Sequence, residues 1–412
     1  MKAAVLTIGD EILRGRTVDS NFSYIAKRLF EIGIGLAHHR VVGDIKKDIV
    51  DSLEELSKQA DLVFITGGLG PTPDDLTRFA IAEFLDSELT LNKDEYAKME
   101  NRFEKRDIKM PPSNEIQVKF PEGIEPLYNP VGMAPGMYFE KDQVRYWVLP
   151  GVPREMKAMM SGIIKKLDKG TKQEKIVLRT TQIPESALYD LLKEIIEGND
   201  EFIGYYPSVS RVDIVIRGDK ADEIASKIRP KVDGFLYSAK ENQGLNEVIQ
   251  QMMIQKGLTL ATAESCTGGM IASEIVDVPG SSEYFLGGVV SYSNEAKMNF
   301  LDVPEQELID YGAVSSQVAK SMAKGAREKF GTDYAISTTG IAGPEGGTDE
   351  KPVGLVYVAV AHAEGVYCRR YNFNNTRQVN RIRSKSAALF LLSAHLKGSI
   401  ENLEFLDGSR EV

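Results

Sequence analysis

Two cysteines, Cys266 and Cys368, are all that the 412 residues contain, and no Cys-x-x-Cys pair exists. Neither a disulfide framework nor a thiolate zinc site is supported by so few. Long apolar runs are missing too: none reaches transmembrane length, and the run within Met1–Asp10 is too short for a signal peptide and passes straight into a strand. A cytoplasmic protein with no membrane partner is expected. Positive charge is in deficit, with 50 Lys and Arg against 60 Asp and Glu and a net charge of −10. That argues against nonspecific electrostatic binding, so no direct nucleic-acid contact is expected. Only four histidines occur, His38, His39, His362 and His395, and none lies in the glycine loops described below. A Ser-His-Asp arrangement is therefore disfavoured. What is present, 42% hydrophobic and 27% charged residues, is the composition of a soluble globular protein. Its length is too great for one ordinary core and predicts two or three domains.

The first third alternates strands and helices. Lys2–Ile8 reads as a strand ending at Gly9-Asp10; Ser20 or Asn21 is predicted to cap a helix carrying Tyr24, Ile25, Leu29 and Phe30. A strand over 35–42, a helix over 48–59 and a strand over 60–66 follow, which predicts a parallel sheet with helices on both faces. The last strand runs into Gly67-Gly-Leu-Gly-Pro-Thr-Pro-Asp-Asp75. Three glycines free backbone amides to surround a phosphate, and Asp74 with Asp75 could hold a divalent cation bridging phosphate oxygens. The alternative is a plain turn, which Gly, Pro and Asp also favour. Loops at 128–136 and 148–156 are rich in glycine and proline and could close a crevice.

From Lys175 to about Ser238 the pattern changes to a small α+β insert with an antiparallel sheet, including the alternating strand Arg211–Arg217. No catalytic constellation appears in it. A spacer or a dimer contact is the expected role.

A second α/β region follows. Thr259-Leu-Ala-Thr-Ala-Glu-Ser-Cys-Thr-Gly-Gly269 reads as strand, tight loop and helix start, where unpaired amides point at whatever lies over the loop. Gly287–Lys297 and Tyr334–Pro344 repeat the design, so three strand ends deliver small polar residues and glycines to one crevice. Ser265 lies where a nucleophile or an anion-gripping hydroxyl would lie, and nucleophilic catalysis would need a proton acceptor and donors for an oxyanion beside it. Ser265 is the candidate nucleophile, Lys297 the base, Tyr292 a relay or orienting group, and the amides of Cys266–Gly269 and Thr339–Gly340 the oxyanion donors. Cys266 is the rival nucleophile, but adjacent side chains on an extended segment face opposite ways, and Ser265 is expected to face in. A different reading keeps Lys297 as a phosphate ligand and lets water attack directly. Arg377 and Arg381, four apart on a predicted helix over 376–396, form a phosphate clamp or a solvated stripe.

These stretches together resemble the CinA family of competence- and damage-inducible proteins. The resemblance rests on Gly9-Asp-Glu-Ile-Leu with Asp19 and Asn21, on Thr66–Thr72 with Asp74–Thr77, and on Asn129-Pro, Ala134–Gly136 and Leu149–Glu155 in the first half. In the second half it rests on Ala263–Gly269, Pro279–Ser282, Tyr292–Lys297, Gly340–Gly347 and Lys351–Gly354. The first half is similar to molybdopterin-binding domains. The resemblance implies two three-layer αβα domains joined by a small α+β (KH-like) module, at 1–170, 171–240 and 241–412, in a homodimer. It implies a C-terminal deamidase converting nicotinamide mononucleotide to nicotinate mononucleotide and ammonia, without a cofactor. For the N-terminal domain it implies an ADP-ribose pyrophosphatase that needs a divalent metal, magnesium or similar, and potassium; a non-catalytic nucleotide- or pterin-binding module is the alternative. Carried onto matching positions, the substrate-binding candidates of the C-terminal site are Thr267, Gly268, Gly269, Asn294, Thr339, Gly340, Gly343, Arg377 and Arg381. Those of the N-terminal site are Asp10, Asn21, Thr66, Gly67, Gly68, Gly70, Thr72, Asn129, Gly136, Gly151 and Glu155, with Asp75 catalytic and Asp74 and Asp75 at the metal. The family commonly has Gly-Asp before the first helical arginine, where this chain has Asn375-Thr376.

Overall fold

In the computed structural model, residues 1–167, 175–399 and the backbone of 410–411 are described. The expected domain boundary at 170/171 lies outside them. The chain divides into two compact units, Met1–Gln173 and Glu174–Val412.

Unit 1 runs β1 (Lys2–Ile8), α1 (Asp10–Leu13), α2 (Ser20–Glu31), β2 (Gly35–Val42), α3 (Lys46–Leu56), β3 (Leu62–Thr66) and α4 (Thr77–Phe84). After it come β4 (Thr90–Leu91), α5 (Lys93–Glu104), β5 (Lys119–Phe120), β6 (Glu125–Leu127), β7 (Gly136–Lys141), β8 (Val144–Leu149) and α6 (Pro153–Ile164). Its main sheet has the order β2-β1-β3-β8-β7-β6. The first four strands are parallel, as predicted, but β7 runs antiparallel to both of its neighbours, β8 and β6, so the sheet is mixed. A two-residue hairpin between β7 and β8 accounts for the reversal, since parallel neighbours need a longer crossover. Two apolar clusters cover the faces, one around Ile49, Leu53 and Ile81, the other around Ile25, Leu29 and Met160. The cap of α2 is Asp19, not Ser20 or Asn21: its Oδ1 accepts the Phe22 amide at 2.8 Å. Asn21 is thereby turned inward to the strand ends.

Unit 2 opens with the α+β module: β9 (Lys175–Thr181), α7 (Glu185–Ile196), β10 (Ile203–Pro207), β11 (Arg211–Arg217), α8 (Ala221–Val232) and β12 (Leu236–Ser238). Its antiparallel sheet, β10-β11-β9-β12, buries Val212, Ile214 and Ile216 against both helices. The strand alternation read from Arg211–Arg217 is the observed burial pattern.

The rest of unit 2 comprises α9 (Leu245–Lys256), β13 (Leu260–Glu264), α10 (Met270–Val276), β14 (Phe285–Val290), α11 (Asn294–Leu301), α12 (Glu305–Tyr311) and α13 (Ser316–Phe330). Then follow β15 (Tyr334–Gly340), β16 (Leu355–His362), β17 (Gly365–Asn372), α14 (Arg377–Lys397) and β18 (Arg410–Glu411). Strand order is β14-β13-β15-β16-β17-β18, parallel over the first three and antiparallel beyond. The strand expected from Lys351 begins only at Leu355, because Pro352 lacks an amide and Gly354 turns the chain at φ +93°. In the parallel register Glu264 lies beside both Val290 and Thr338. The residues after these three positions therefore share one sheet edge. Gly325 on α13 lets that helix touch α11: a Cβ there would fall 1.9 Å from the Leu301 carbonyl oxygen. No helix among the described residues is long and apolar enough to cross a membrane.

Candidate functional site

At the edge of the second sheet, Ser265 leaves β13 with its amide bonded to the Thr338 carbonyl at 3.0 Å. Two glycines in left-handed conformation, Gly268 at φ +58° and Gly269 at φ +90°, then reverse the chain into α10. The Gly268 amide closes the turn on the Ser265 carbonyl at 3.1 Å. The Ser265 Oγ faces Lys297 Nζ at 3.3 Å. Lys297 comes from the first turns of α11, capped by Ser293, whose Oγ accepts the Ala296 amide at 3.1 Å.

Lys297 is 1% exposed, and its Nζ also donates to the carbonyls of Ser291 at 2.9 Å and Tyr292 at 3.3 Å. Burial lowers its pKa from the ordinary lysine value, opposed by Cys266. A neutral amine has two N–H groups and one lone pair. In the structure Nζ donates to all three oxygens; deprotonated, and with its two hydrogens on the carbonyls, it would present that lone pair to the serine hydroxyl. Cys266 points the other way, into the core with Ile249 and Met253, and burial pushes its thiol up to about 12. A thiolate nucleophile is disfavoured there.

The amides expected to face a ligand are largely committed. Glu264, 1% exposed, accepts Gly269 and Ala272 at 2.9 Å and Ile271 at 3.1 Å. A carboxylate from the strand thus fills the anion seat at the start of α10. Gly268 and Gly269 are removed as oxyanion donors, because their hydrogens are bonded within the turn. The Cys266 and Thr267 amides lie beside the Cys266 sulfur. The Thr267 hydroxyl pairs with that of Thr338 at 2.7 Å, and Thr339 donates to the Ala313 carbonyl at 2.7 Å.

The two arginines part company. Arg377, exposed, donates to the Gly343 carbonyl at 2.7 Å and the Tyr292 hydroxyl at 3.2 Å. Arg381 donates instead to the Cys266 carbonyl from Nε at 3.0 Å and to the Thr267 carbonyl from Nη2 at 2.8 Å. Asn294 sits exposed at the start of α11 and Gly340 at the end of β15. Sequence reading missed Glu264 and Asn380. Buried Asn380 ties the loop at Ala342, at 3.1 Å, to the turn at Asn375, at 2.7 Å. The available signal for Glu264 was a carboxylate in an otherwise apolar strand, one residue before a turn.

In unit 1 the strand ends also converge. Asn21 donates to the Thr66 hydroxyl at 2.9 Å and the Gly151 carbonyl at 2.8 Å, and Thr66 donates to the Pro150 carbonyl at 2.9 Å. Gly67 lies so close to β1 that a Cβ would fall 2.0 Å from the Ile8 oxygen; at Gly68 it would meet the Thr77 hydroxyl at 2.2 Å. Asn129 donates to Glu155 at 2.7 Å and accepts the Val131 and Gly132 amides, while Gly136 packs on the Val148 carbonyl. The Asp10 amide bonds Asp44 at 2.9 Å.

Of the phosphate cradle expected at Gly67–Asp75, three amides are already bonded within the fold. Gly67 donates to the Leu149 carbonyl, while Gly70, at 2.8 Å, and Thr72, at 2.9 Å, donate to the Asp75 carboxylate, which the Thr72 hydroxyl also meets. The acidic pair was expected to do more than shape a turn; Asp75 staples that turn. Behind it Arg78, 1% exposed, donates to the Leu69 and Pro135 carbonyls, and burial lowers its pKa to about 9. A protein-held divalent metal does not fit this donor set. Both Asp75 oxygens accept amides, Asp74 is exposed, and no three His, Cys, Asp or Glu converge on a metal position among the described residues.

Three family models match the chain in succession: Probable molybdopterin binding domain over residues 4–169, Damage-inducible protein CinA KH domain over 175–233, and CinA C-terminal domain over 242–396. A CinA-like protein of Geotalea uraniireducens is 38% identical, covering 99% of this chain and 100% of its own. The chain belongs to the CinA family. Another CinA-like protein, from Citrifermentans bemidjiense, is 40% identical over 93% of this chain and 94% of its own. Among solved structures, the protein CinA of Thermoplasma acidophilum is 34% identical with a TM-score of 0.38, covering 40% of this chain and 96% of that one. CinA membership fixes the architecture: a molybdopterin-binding-like domain, a KH-like module and a CinA C-terminal domain, the last holding Ser265 and Lys297.

Proposed function

We propose that the CinA C-terminal domain is a nicotinamide mononucleotide deamidase with Ser265 as nucleophile and Lys297 as general base. The observation that carries this reading is the Lys297 amine, buried, without a carboxylate partner among the described residues, and donating to two carbonyls and to the Ser265 hydroxyl, so that once deprotonated it stands where its lone pair can take the serine proton. The Ser265 proton passes to Lys297 as Oγ bonds to the carboxamide carbon. The ammonium so formed stands beside Ser265 and offsets the charge of the tetrahedral oxyanion. Lys297 then returns the proton to the leaving nitrogen, ammonia departs, and an ester remains on Ser265. Water, deprotonated by Lys297, cleaves that ester to release nicotinate mononucleotide and restore the serine. Arg377, beside exposed Tyr292, is the group for the substrate phosphate. Mixing the protein with nicotinamide mononucleotide and measuring ammonia tests the reading; no release overturns it.

For unit 1 the favoured role is binding a nucleotide diphosphate such as ADP-ribose, without turnover by a protein-held metal. The Asp75 staple supports this over the pyrophosphatase expectation. Incubation of the full chain with ADP-ribose, magnesium and potassium, followed by assay for AMP, discriminates: AMP formed beyond a protein-free control restores the hydrolase. A homodimer and a cytoplasmic setting belong to the same proposal, tested by light scattering and by fractionation of the source cell.

A further inference from the structure

We propose that Arg381 is a positioning residue for the Ser265 nucleophile, leaving the substrate's phosphate to Arg377; this rests on the deamidase reading above. Spacing alone put both arginines on one helix face, as a clamp or a solvated stripe. The geometry separates them. Along one edge of the Arg381 guanidinium, Nε and Nη2 grip two successive carbonyls, Cys266 and Thr267, at 3.0 and 2.8 Å. A planar fork holding consecutive peptide oxygens fixes the orientation of both peptide planes, which a single ammonium cannot do. The same turn is held from its other side by Glu264, through the amides of Gly269, Ile271 and Ala272. Carbonyls are gripped by a cation and amides by an anion, so the segment immediately after Ser265 is clamped at both ends of its peptide dipoles.

Space agrees with charge. A Cβ on Gly268 would lie 3.2 Å from Arg381 Nη2, closer than ordinary carbon contacts. The glycine that reads as room for a ligand is occupied by this guanidinium. Arg381 is partly buried, whereas Arg377 is exposed and its hydroxyl partner Tyr292 is 64% exposed. Only the latter can turn to an incoming phosphate without unlatching the nucleophile. The gain from Arg381 is placement: Ser265 Oγ must stay within reach of Nζ while its carbonyl accepts Gly268.

The test compares Arg381→Gln and Arg381→Lys with the unsubstituted protein on two substrates, nicotinamide mononucleotide and the same nucleoside without its phosphate. Arg381→Gln is expected to lower kcat about 100-fold on both, the size of a misplaced reacting group, with mononucleotide KM shifted less than about threefold. Arg381→Lys, keeping the charge and one of two bonds, recovers part of kcat. A loss in mononucleotide KM alone, absent with the nucleoside, makes Arg381 a phosphate ligand and overturns the proposal. A second readout needs no substrate: the rate at which phenylmethylsulfonyl fluoride sulfonylates Ser265, with loss of fluoride and transfer of the proton to Lys297, followed by mass. Slowing of about tenfold or more in both variants supports the proposal; equal rates in all three proteins, or no labelling of Ser265 in any, overturn it. If the unsubstituted protein releases no ammonia the deamidase reading falls, and the labelling rates still decide the role of Arg381.

Discussion

Two glycine turns, Gly67–Asp75 in unit 1 and Ser265–Gly269 in unit 2, have the same form as text: an apolar strand, small residues, glycines, then a helix. Both look like anion seats, and in both the chain supplies the anion itself. Asp75 reaches back to Gly70 and Thr72; Glu264 reaches forward to Gly269, Ile271 and Ala272. They differ in what stands beside the turn. Next to Ser265 is a buried amine held by two carbonyls, whereas the first turn is backed by Arg78, bonded to the carbonyls of Leu69 and Pro135. A strand-glycine-helix junction therefore specifies a fold of the main chain, and its chemistry is decided by the residue that arrives from elsewhere.

The comparison breaks first at its most reactive point. Ser265→Ala and Lys297→Ala are each expected to cut ammonia release by about 10⁴-fold or more with the protein folded, the scale seen when a nucleophile or its base is removed. Full activity in Ser265→Ala would remove the covalent scheme and leave water as the attacking group. Next in size, Glu264→Ala leaves three amides, that of Ile271 buried and those of Gly269 and Ala272 partly so, without their acceptor. A loss of about 2–4 kcal/mol is expected in the unfolding transition of unit 2. Asp75→Ala, at a more exposed turn, should cost unit 1 only about 1 kcal/mol. Equal losses would erase the distinction between the turns.

The pH dependence is subtler. Lys297 works as a base only when neutral and its pKa is lowered by burial, so ammonia release should rise with pH through one ionisation below the ordinary lysine value of 10.5. For stability the sign is the same. Between its lowered folded pKa and 10.5 the folded state binds fewer protons than the unfolded one, so the penalty for burying this amine is full below that window and disappears as pH rises through it. Lys297→Met should be more stable than the unsubstituted protein near neutral pH, with the gap narrowing toward pH 10; a constant gap in thermal scans would refute the shift. The smallest effect expected is from Asp75→Asn, which keeps one acceptor oxygen: roughly a threefold loss of ADP-ribose affinity by calorimetry, with ammonia release untouched.

The layers and the insert were legible because periodicity reports burial: Arg211–Arg217 alternates and sits half-exposed on a sheet, whereas the helix over 377–397 is buried without a break from Ser386 to Ala394. The antiparallel edges of both large sheets were not legible, since alternation of strands and helices says nothing of direction once short hairpins enter. Proximity of Ser265 to Lys297 followed from strand ends sharing an edge, which β13, β14 and β15 in parallel register enforce. The hydrogen-bond commitments of the two turns stayed hidden. Whether Glu264 points into its own turn or Arg381 reaches Cys266, 115 residues away in sequence, depends on tertiary placement that spacing on one helix does not encode.

Gly325 carries a last consequence. Because α13 presses on the end of α11 with no room for a methyl group, the helix bearing Lys297 is seated from behind by a residue outside the crevice. Replacing that glycine with alanine would lever α11 outward and loosen the amine from its serine, an inactivating lesion that no inspection of the crevice lining would reveal.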